Sequence, residues 1–172
     1  MIYKKICLIG DFAVGKTSLV RRFVDRQFSD QYLSTIGVKI SRKKINLSSP
    51  ETDNPQVMQL MIWDIEGQTR FKDIAPSYLQ GSSGAVIVAD LTRQDTINHL
   101  PQHIDLFLSI NPQGVIVIAF NKTDLVKYES ILQRFQNNKS FKQEQVTLVY
   151  QTSAKTGIYV DEMFNHLAQN LI

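Results

Sequence analysis

Residues Gly10-Asp11-Phe12-Ala13-Val14-Gly15-Lys16-Thr17 follow at once on an apolar run from Ile2 to Ile9. They fit the pattern G-x-x-x-x-G-K-[ST], which belongs to a loop joining a strand to a helix. Such a loop aims backbone N–H groups, one ammonium and one hydroxyl at a common point, an arrangement suited to the phosphates of a nucleoside triphosphate and its magnesium. One residue fits poorly. Phe12 sets a large aromatic ring where the terminal phosphate would be approached.

Further apolar runs of strand length recur at Val57 to Trp63, Ala85 to Ala89, Val115 to Phe120 and Val146 to Tyr150, with helical spacing between most of them. The clearest helix is the last, where Val160, Met163, Phe164, Leu167, Ala168 and Leu171 repeat at three and four residues and define one face. Strands buried on both faces and alternating with helices predict an α/β fold with a six-stranded, mostly parallel sheet and helices on both faces. One pair breaks the alternation. The segments Gly37 to Leu47 and Gln56 to Asp64 are joined only by the polar stretch Ser48 to Pro55, too short for a parallel crossover, so one antiparallel edge strand is expected. No repeat or linker divides the chain, and 172 residues with 43% apolar content suit one domain over 1–172.

A net charge of +3 is too small and dispersed to argue for a nucleic-acid polymer as partner. The densest basic run, Arg42-Lys43-Lys44, lies in an alternating segment and reads as an exposed strand face or a contact patch. A single cysteine, Cys7, excludes an internal disulfide and reads as an inert core thiol. No apolar run reaches membrane-spanning length and no signal peptide precedes the loop, so a cytoplasmic, monomeric protein is expected.

In an open α/β sheet ligands bind beyond the carboxyl ends of the strands, and the residues there are informative. After the first strand, Asp11, Phe12, Ala13, Val14, Gly15, Lys16, Thr17 and Ser18 form the phosphate loop and enter a helix. Lys16 would bridge the outer phosphates and Thr17 would ligate magnesium. After the third comes Asp64-Ile65-Glu66-Gly67-Gln68. Asp64 suits magnesium, usually through water, Gly67 brings an N–H close to the terminal phosphate, and Gln68 is placed to orient an attacking water. After the fifth comes Asn121-Lys122-Thr123-Asp124. The Asp124 carboxylate can accept both of guanine's edge N–H donors, which adenine lacks; Asn121 would brace the loop and contact the base, and the Lys122 stem would cover the ring. The sixth ends at Thr152-Ser153-Ala154-Lys155, where the Ala154 N–H can donate to guanine's carbonyl oxygen. Alone, each of these short segments is an ordinary polar turn.

With these elements in this order, the chain resembles the Ras superfamily of small GTPases, and the Rab branch most closely. The resemblance runs from Lys4 to Leu171 and includes Arg22-Phe23-Val24-Asp25, Ser34-Thr35-Ile36-Gly37-Val38, Trp63-Asp64, Gly67-Gln68, Arg70-Phe71 and Ser153-Ala154-Lys155. It implies a first switch over 28–37, in which Thr35 ligates magnesium and Phe28 packs on guanine, and a second switch over about 65–76. It implies GTP and GDP as ligands, and an effector, an exchange factor and an activating protein as partners through these switches. A role in vesicle traffic follows from the resemblance alone.

Three departures stand out. The Phe12 ring replaces a small residue and either blocks an arginine finger, worth about 10³ to 10⁵ in rate, or displaces Gln68, or swings outward onto a switch. Glu66 replaces the family's usual alanine; a carboxylate beside the phosphates should repel them unless it faces solvent or pairs with a base such as Arg70 or Lys72. No cysteine lies near Leu171-Ile172, so no prenyl anchor is expected on this chain, and membrane association would need a lipidated tail beyond it.

Three weaker signals carry less. His99 and His103 stand four apart as a metal pair would, but Pro101 lies between them and only Asp95 and Asp105 are near. The segment with Ile131, Leu132 and Phe135 reads as a helix on the sheet, and Tyr32 as a switch residue of either role. The reading is a guanine-nucleotide switch with slow GTP hydrolysis, Gln68 and Lys16 carrying the reaction. Its rivals are a nucleotide-binding scaffold with negligible turnover and an ATP-dependent phosphotransferase.

Overall fold

The computed structural model describes residues 1–31, 34–47, 56–67, 76–127 and 146–172. The first strand, β1 (Ile2–Ile9), runs through the loop at 10–15 into α1 (Lys16–Asp25). The edge pair follows as β2 (Val38–Leu47) and β3 (Gln56–Ile65), then a short α2 (Pro76–Leu79) and β4 (Gly84–Asp90). Beyond β4 lie α3 (Gln94–Asn98), α4 (Leu100–Ile110) and β5 (Val115–Asn121), and the described chain closes with β6 (Val146–Gln151) and α5 (Val160–Gln169).

The strands form one six-stranded sheet in the order β2-β3-β1-β4-β5-β6. All neighbours are parallel except β2 and β3, whose antiparallel register runs from Val38 opposite Ile65 to Leu47 opposite Gln56. The expected antiparallel edge is therefore present. The connection at 48–55 lies outside the described residues, as does the segment with Ile131, Leu132 and Phe135.

Period-two alternation splits the core between the two faces of the sheet. Ile6 and Leu8 of β1 face Leu19, Val20 and Phe23 of α1 and Met163, Phe164 and Leu167 of α5. Cys7 and Ile9 face the other way, toward Ile97, Leu100, Ile104 and Phe107 of α3 and α4. Phe23 and Phe164 stack with centroids 4.3 Å apart, locking α1 to α5. Two packed layers hold the sheet rigid, so the loops at its carboxyl edge have a fixed platform.

Pro101 does not break the helix that it sits in. It occupies the first turn of α4, where the missing N–H has no partner to lose, so His99 and His103 remain one turn apart on the same side. Of the basic run on β2, Arg42 and Lys44 are exposed, while Lys43 lies over the Phe23 ring and bonds the Val24 carbonyl. The run is thus largely a charged edge, which discourages pairing with another sheet. Cys7 is buried beside Ser82, and burial pushes its thiol up to about 11, against a hydrogen bond from that serine. Among the described residues no helix is long and apolar enough to cross a membrane.

Candidate nucleotide-binding site

The carboxyl ends of β1, β3, β5 and β6 surround a cavity of about 350 Å³. Its phosphate end is lined by Phe12, Ala13, Gly15, Lys16, Thr17, Ser18, Thr35 and Gly67, and its other end by Phe28, Asn121, Lys122, Asp124, Ala154 and Lys155. Most residues that the sequence singles out therefore meet in one place. Gln68 lies outside the described residues, as do Tyr32, Arg70, Phe71 and Lys72.

The loop is tied from many sides. Lys16 Nζ donates to the carbonyls of Gly10 and Asp11, each at 2.8 Å. Arg93 Nη1 donates to the Phe12 carbonyl at 2.8 Å, Lys122 Nζ to that of Ala13 at 2.9 Å, and Asn121 Nδ2 to that of Val14 at 3.0 Å. Donors thus hold five successive carbonyls of the loop, from Gly10 to Val14, just ahead of a helix N-terminus of the kind that favours anions. Gly15 makes this possible: its φ is +98°, and a Cβ there would lie 2.3 Å from Asn121 Nδ2. Burial pushes the Lys16 ammonium down to about 8, opposed by the charges of Asp64 and Asp11.

Thr17 and Thr35, which line the cavity, meet Asp64, which is buried beside them and does not line it. Thr17 Oγ1 lies 2.5 Å from Asp64 Oδ2 and 2.7 Å from Thr35 Oγ1. Since a carboxylate only accepts, the Thr17 hydroxyl donates to Asp64 and takes its second bond from Thr35. Asp64 is 1% exposed, and its Oδ1 has no hydrogen-bond partner among the described residues. Burial raises its carboxyl above the usual range, against the Thr17 bond. Two hydroxyls and a buried carboxylate with an unpaired oxygen form a hard, all-oxygen donor set, which fits magnesium.

Gly67 closes the phosphate end. A Cβ there would fall 2.6 Å from Phe12 Cα and 2.7 Å from Lys16 Nζ, so only glycine can lie this close to the loop. Phe12 stays 42% exposed and still lines the cavity. Glu66 finds a partner that the sequence does not suggest: its Oε2 accepts the Gly37 N–H at 2.9 Å, and its own N–H donates to the Gly37 carbonyl at 2.8 Å. The residue that follows β3 is thereby clasped to the residue that precedes β2.

At the base end the polar groups brace one another. Asn121 Oδ1 accepts from Thr152 Oγ1 at 3.3 Å and from the Ala154 N–H at 3.2 Å. That amide, assigned above to guanine, is thus already engaged by Asn121. Ser153 Oγ donates to Asp124 Oδ1 at 2.6 Å and fixes the carboxylate's orientation; Ser153 itself is fully buried and lies behind the cavity wall. Lys122 is held by Asp90 Oδ2 at 2.6 Å. Arg22 of α1 reaches the carbonyls of Ala154 and Lys155 at 2.7 and 2.5 Å, so the helix that opens the loop also seats the last strand's turn.

Of the loop residues expected to bind the nucleotide, Asp11 and Val14 do not line the cavity. Val14 packs in the core, and the Asp11 carboxylate is taken up by His99 Nδ1 at 2.6 Å and His103 Nε2 at 2.7 Å. The histidine pair thus meets its acid 88 and 92 residues away, where no local pattern points. Asp90, which ends β4, and Arg93, three residues on, are likewise contacts that no sequence pattern marks.

A sequence model of the Ras family matches residues 5–172. The chain is 32% identical to Ras-related protein Rab-22A of Homo sapiens over 97% of its length and 82% of that protein. It is 37% identical to Ras-related protein Rab-1C of Dictyostelium discoideum, over 97% of this chain and 80% of that one. For Ras-related protein Rab-31 of Rattus norvegicus the identity is 33%, with 97% and 82% covered. The chain belongs to the Ras family, as a Rab-like small GTPase.

Proposed function

We propose that this chain is a guanine-nucleotide switch that hydrolyses GTP slowly without a partner. The observation that carries the reading is the meeting of Thr17, Thr35 and Asp64 at 2.5 to 2.7 Å beside Lys16, at one end of a cavity whose other end holds Asp124. Hydroxyls from the phosphate loop and the first switch and a carboxylate from β3 converge where a nucleotide's outer phosphates would end.

In this reading the loop N–H groups and Lys16 hold the phosphates, and charge growing on them in the transition state meets these fixed donors. Gln68 positions a water that attacks the terminal phosphorus; the bond to the bridging oxygen breaks, and GDP leaves with the electron pair. Thr17, Thr35 and Asp64 would hold magnesium, which when bound supplies charge that offsets the outer phosphate oxygens. Asp124, set by Ser153, reads guanine. The segments at 28–37 and 65–76 would meet effectors, an exchange factor and an activating protein, and Ile36, 88% exposed, offers them an apolar contact.

Slow turnover rests on Phe12, which lines the cavity beside Gly67. A scaffold with negligible hydrolysis is the second reading, and the clasp of Glu66 on Gly37 favours it by linking the two switch segments. Single-turnover hydrolysis of bound GTP separates them: a measurable first-order release of phosphate is expected, and none over many hours would leave the scaffold. Displacement of labelled GDP by GTP but not by ATP is expected; equal displacement would overturn the guanine reading.

A further inference from the structure

We propose that His99 and His103 are positioning residues for the phosphate loop, holding its one buried carboxylate from two sides and so setting the grip on a bound guanine nucleotide. The inference rests on the nucleotide-binding reading above. Asp11 sits at the second position of the loop and is 1% exposed, and His103 is fully buried. Each carboxylate oxygen takes one imidazole: Oδ2 faces His99 Nδ1 at 2.6 Å and Oδ1 faces His103 Nε2 at 2.7 Å. Two bonds to two oxygens fix both the position of the group and its rotation.

An ionised carboxylate has no proton to give, so both imidazoles must donate. His99 therefore carries its hydrogen on Nδ1 and His103 on Nε2. The hydrogen bonds from His103 and His99 outweigh burial and hold the Asp11 carboxyl below its usual range, consistent with the ionised form. Left loose, that charge would stand beside the ligand's phosphates and repel them. Held by the histidines, it forms no part of the cavity wall.

The ties from Lys16, Arg93, Lys122 and Asn121 grip backbone carbonyls of the loop, and all of these but Arg93 line the cavity as well. The histidines line none of it. They belong to the start of α4, seated on the sheet by Leu100, Ile104 and Phe107, and so couple the loop to a helix remote from the nucleotide.

Release of a fluorescent GDP analogue from the full chain tests this. His99→Ala with His103→Ala should speed release about tenfold or more, the scale expected when bonds to a charged group are lost. His99→Asn with His103→Gln places an amide N–H close to where each ring nitrogen donates and should restore slow release. In an Asp11→Ala background the alanine pair should add nothing, because its effect runs through the carboxylate. Release at the parental rate from the alanine pair, equally fast release from the amide pair, or additivity with Asp11→Ala would each overturn the proposal. Should the alanine pair fail to fold, long-range nitrogen–proton NMR of the parent decides: the Nδ1–H form of His99 and the Nε2–H form of His103 support it, and the opposite forms sink it. A parent that binds no guanine nucleotide would sink the underlying reading along with it, whereas binding with unaltered release would sink this proposal alone.

Discussion

The two ends of the cavity are built differently. At the base end Asn121, Thr152 and Ser153 are buried at strand termini; Asn121 is hydrogen-bonded to Thr152 and to the loop, and Ser153 orients Asp124. At the phosphate end the decisive groups, Phe12, Thr35, Glu66 and Gly67, sit on loops, and their contacts join segments far apart in sequence. In the proposed reading the contrast separates two tasks: rigid strand ends would choose the base, while loops would respond to the terminal phosphate.

The largest expected effect breaks the base end. Asp124→Asn exchanges an acceptor for a donor where guanine presents donors, leaving buried edges mismatched. Guanine preference over xanthine nucleotides should fall by about 10³-fold or more, as such sites usually discriminate on that scale. Competition binding with GDP and XDP checks it, and a variant with unaltered preference would show that Asp124 does not read the base.

Next comes the phosphate end. Phe12→Gly should raise the single-turnover hydrolysis rate about tenfold or more and open the loop to an arginine from a partner, whose contribution reaches about 10³ to 10⁵. The same substitution should scarcely move the preference among bases. If it changes base preference and not rate, the division between the two ends fails.

These residues differ in how far the sequence discloses them. The placement of the loop, Asp64, Gly67 and Asn121-Lys122-Thr123-Asp124 at strand ends is legible because each task in the proposed reading would demand fixed residue types at fixed spacing behind a strand. The sheet is legible for a similar reason, since strands buried on both faces leave continuous apolar runs and the polar link at 48–55 is too short for a crossover. The His99 and His103 bonds to Asp11 are not legible, because their separation is set by how α4 docks. The Glu66 contact is hidden in another way: its partner is the backbone N–H of Gly37, a group that every residue but proline carries, so no side-chain pattern marks it.

Glu66 sharpens the comparison with a smaller effect. Repulsion of the phosphates and the clasp on Gly37 act in opposite directions on nucleotide release. The bond should dominate, because a charge-assisted hydrogen bond is worth about 1.5 to 3 kcal/mol. Glu66→Ala should therefore speed GDP release by about tenfold, while Glu66→Gln, which keeps the acceptor and drops the charge, should stay near the parent. Slower release from both would mean that repulsion prevails.

The smallest effect concerns stability rather than turnover. Burial holds His103 below its ordinary value of 6.5, against the pull of Asp11, with Lys16 and His99 also acting to lower it. As the pH falls from 6.5 toward the lower folded value, the unfolded chain takes up a proton at this site that the folded chain refuses. Stability should therefore drop in that window, by at most about 1.4 kcal/mol per pH unit from this group. Asp11, held below its ordinary 3.8, contributes a loss only below that pH, where the unfolded carboxyl takes up a proton that the folded one still refuses. In denaturant midpoints measured from pH 7.5 to 5, His103→Gln should flatten the decline, since glutamine donates without titrating. The base preference set by Asp124 should be the same at both ends of that range. A slope unaltered by His103→Gln would assign the acid sensitivity to other groups and leave the hydrogen bond to Asp11 as a neutral, non-titrating strut.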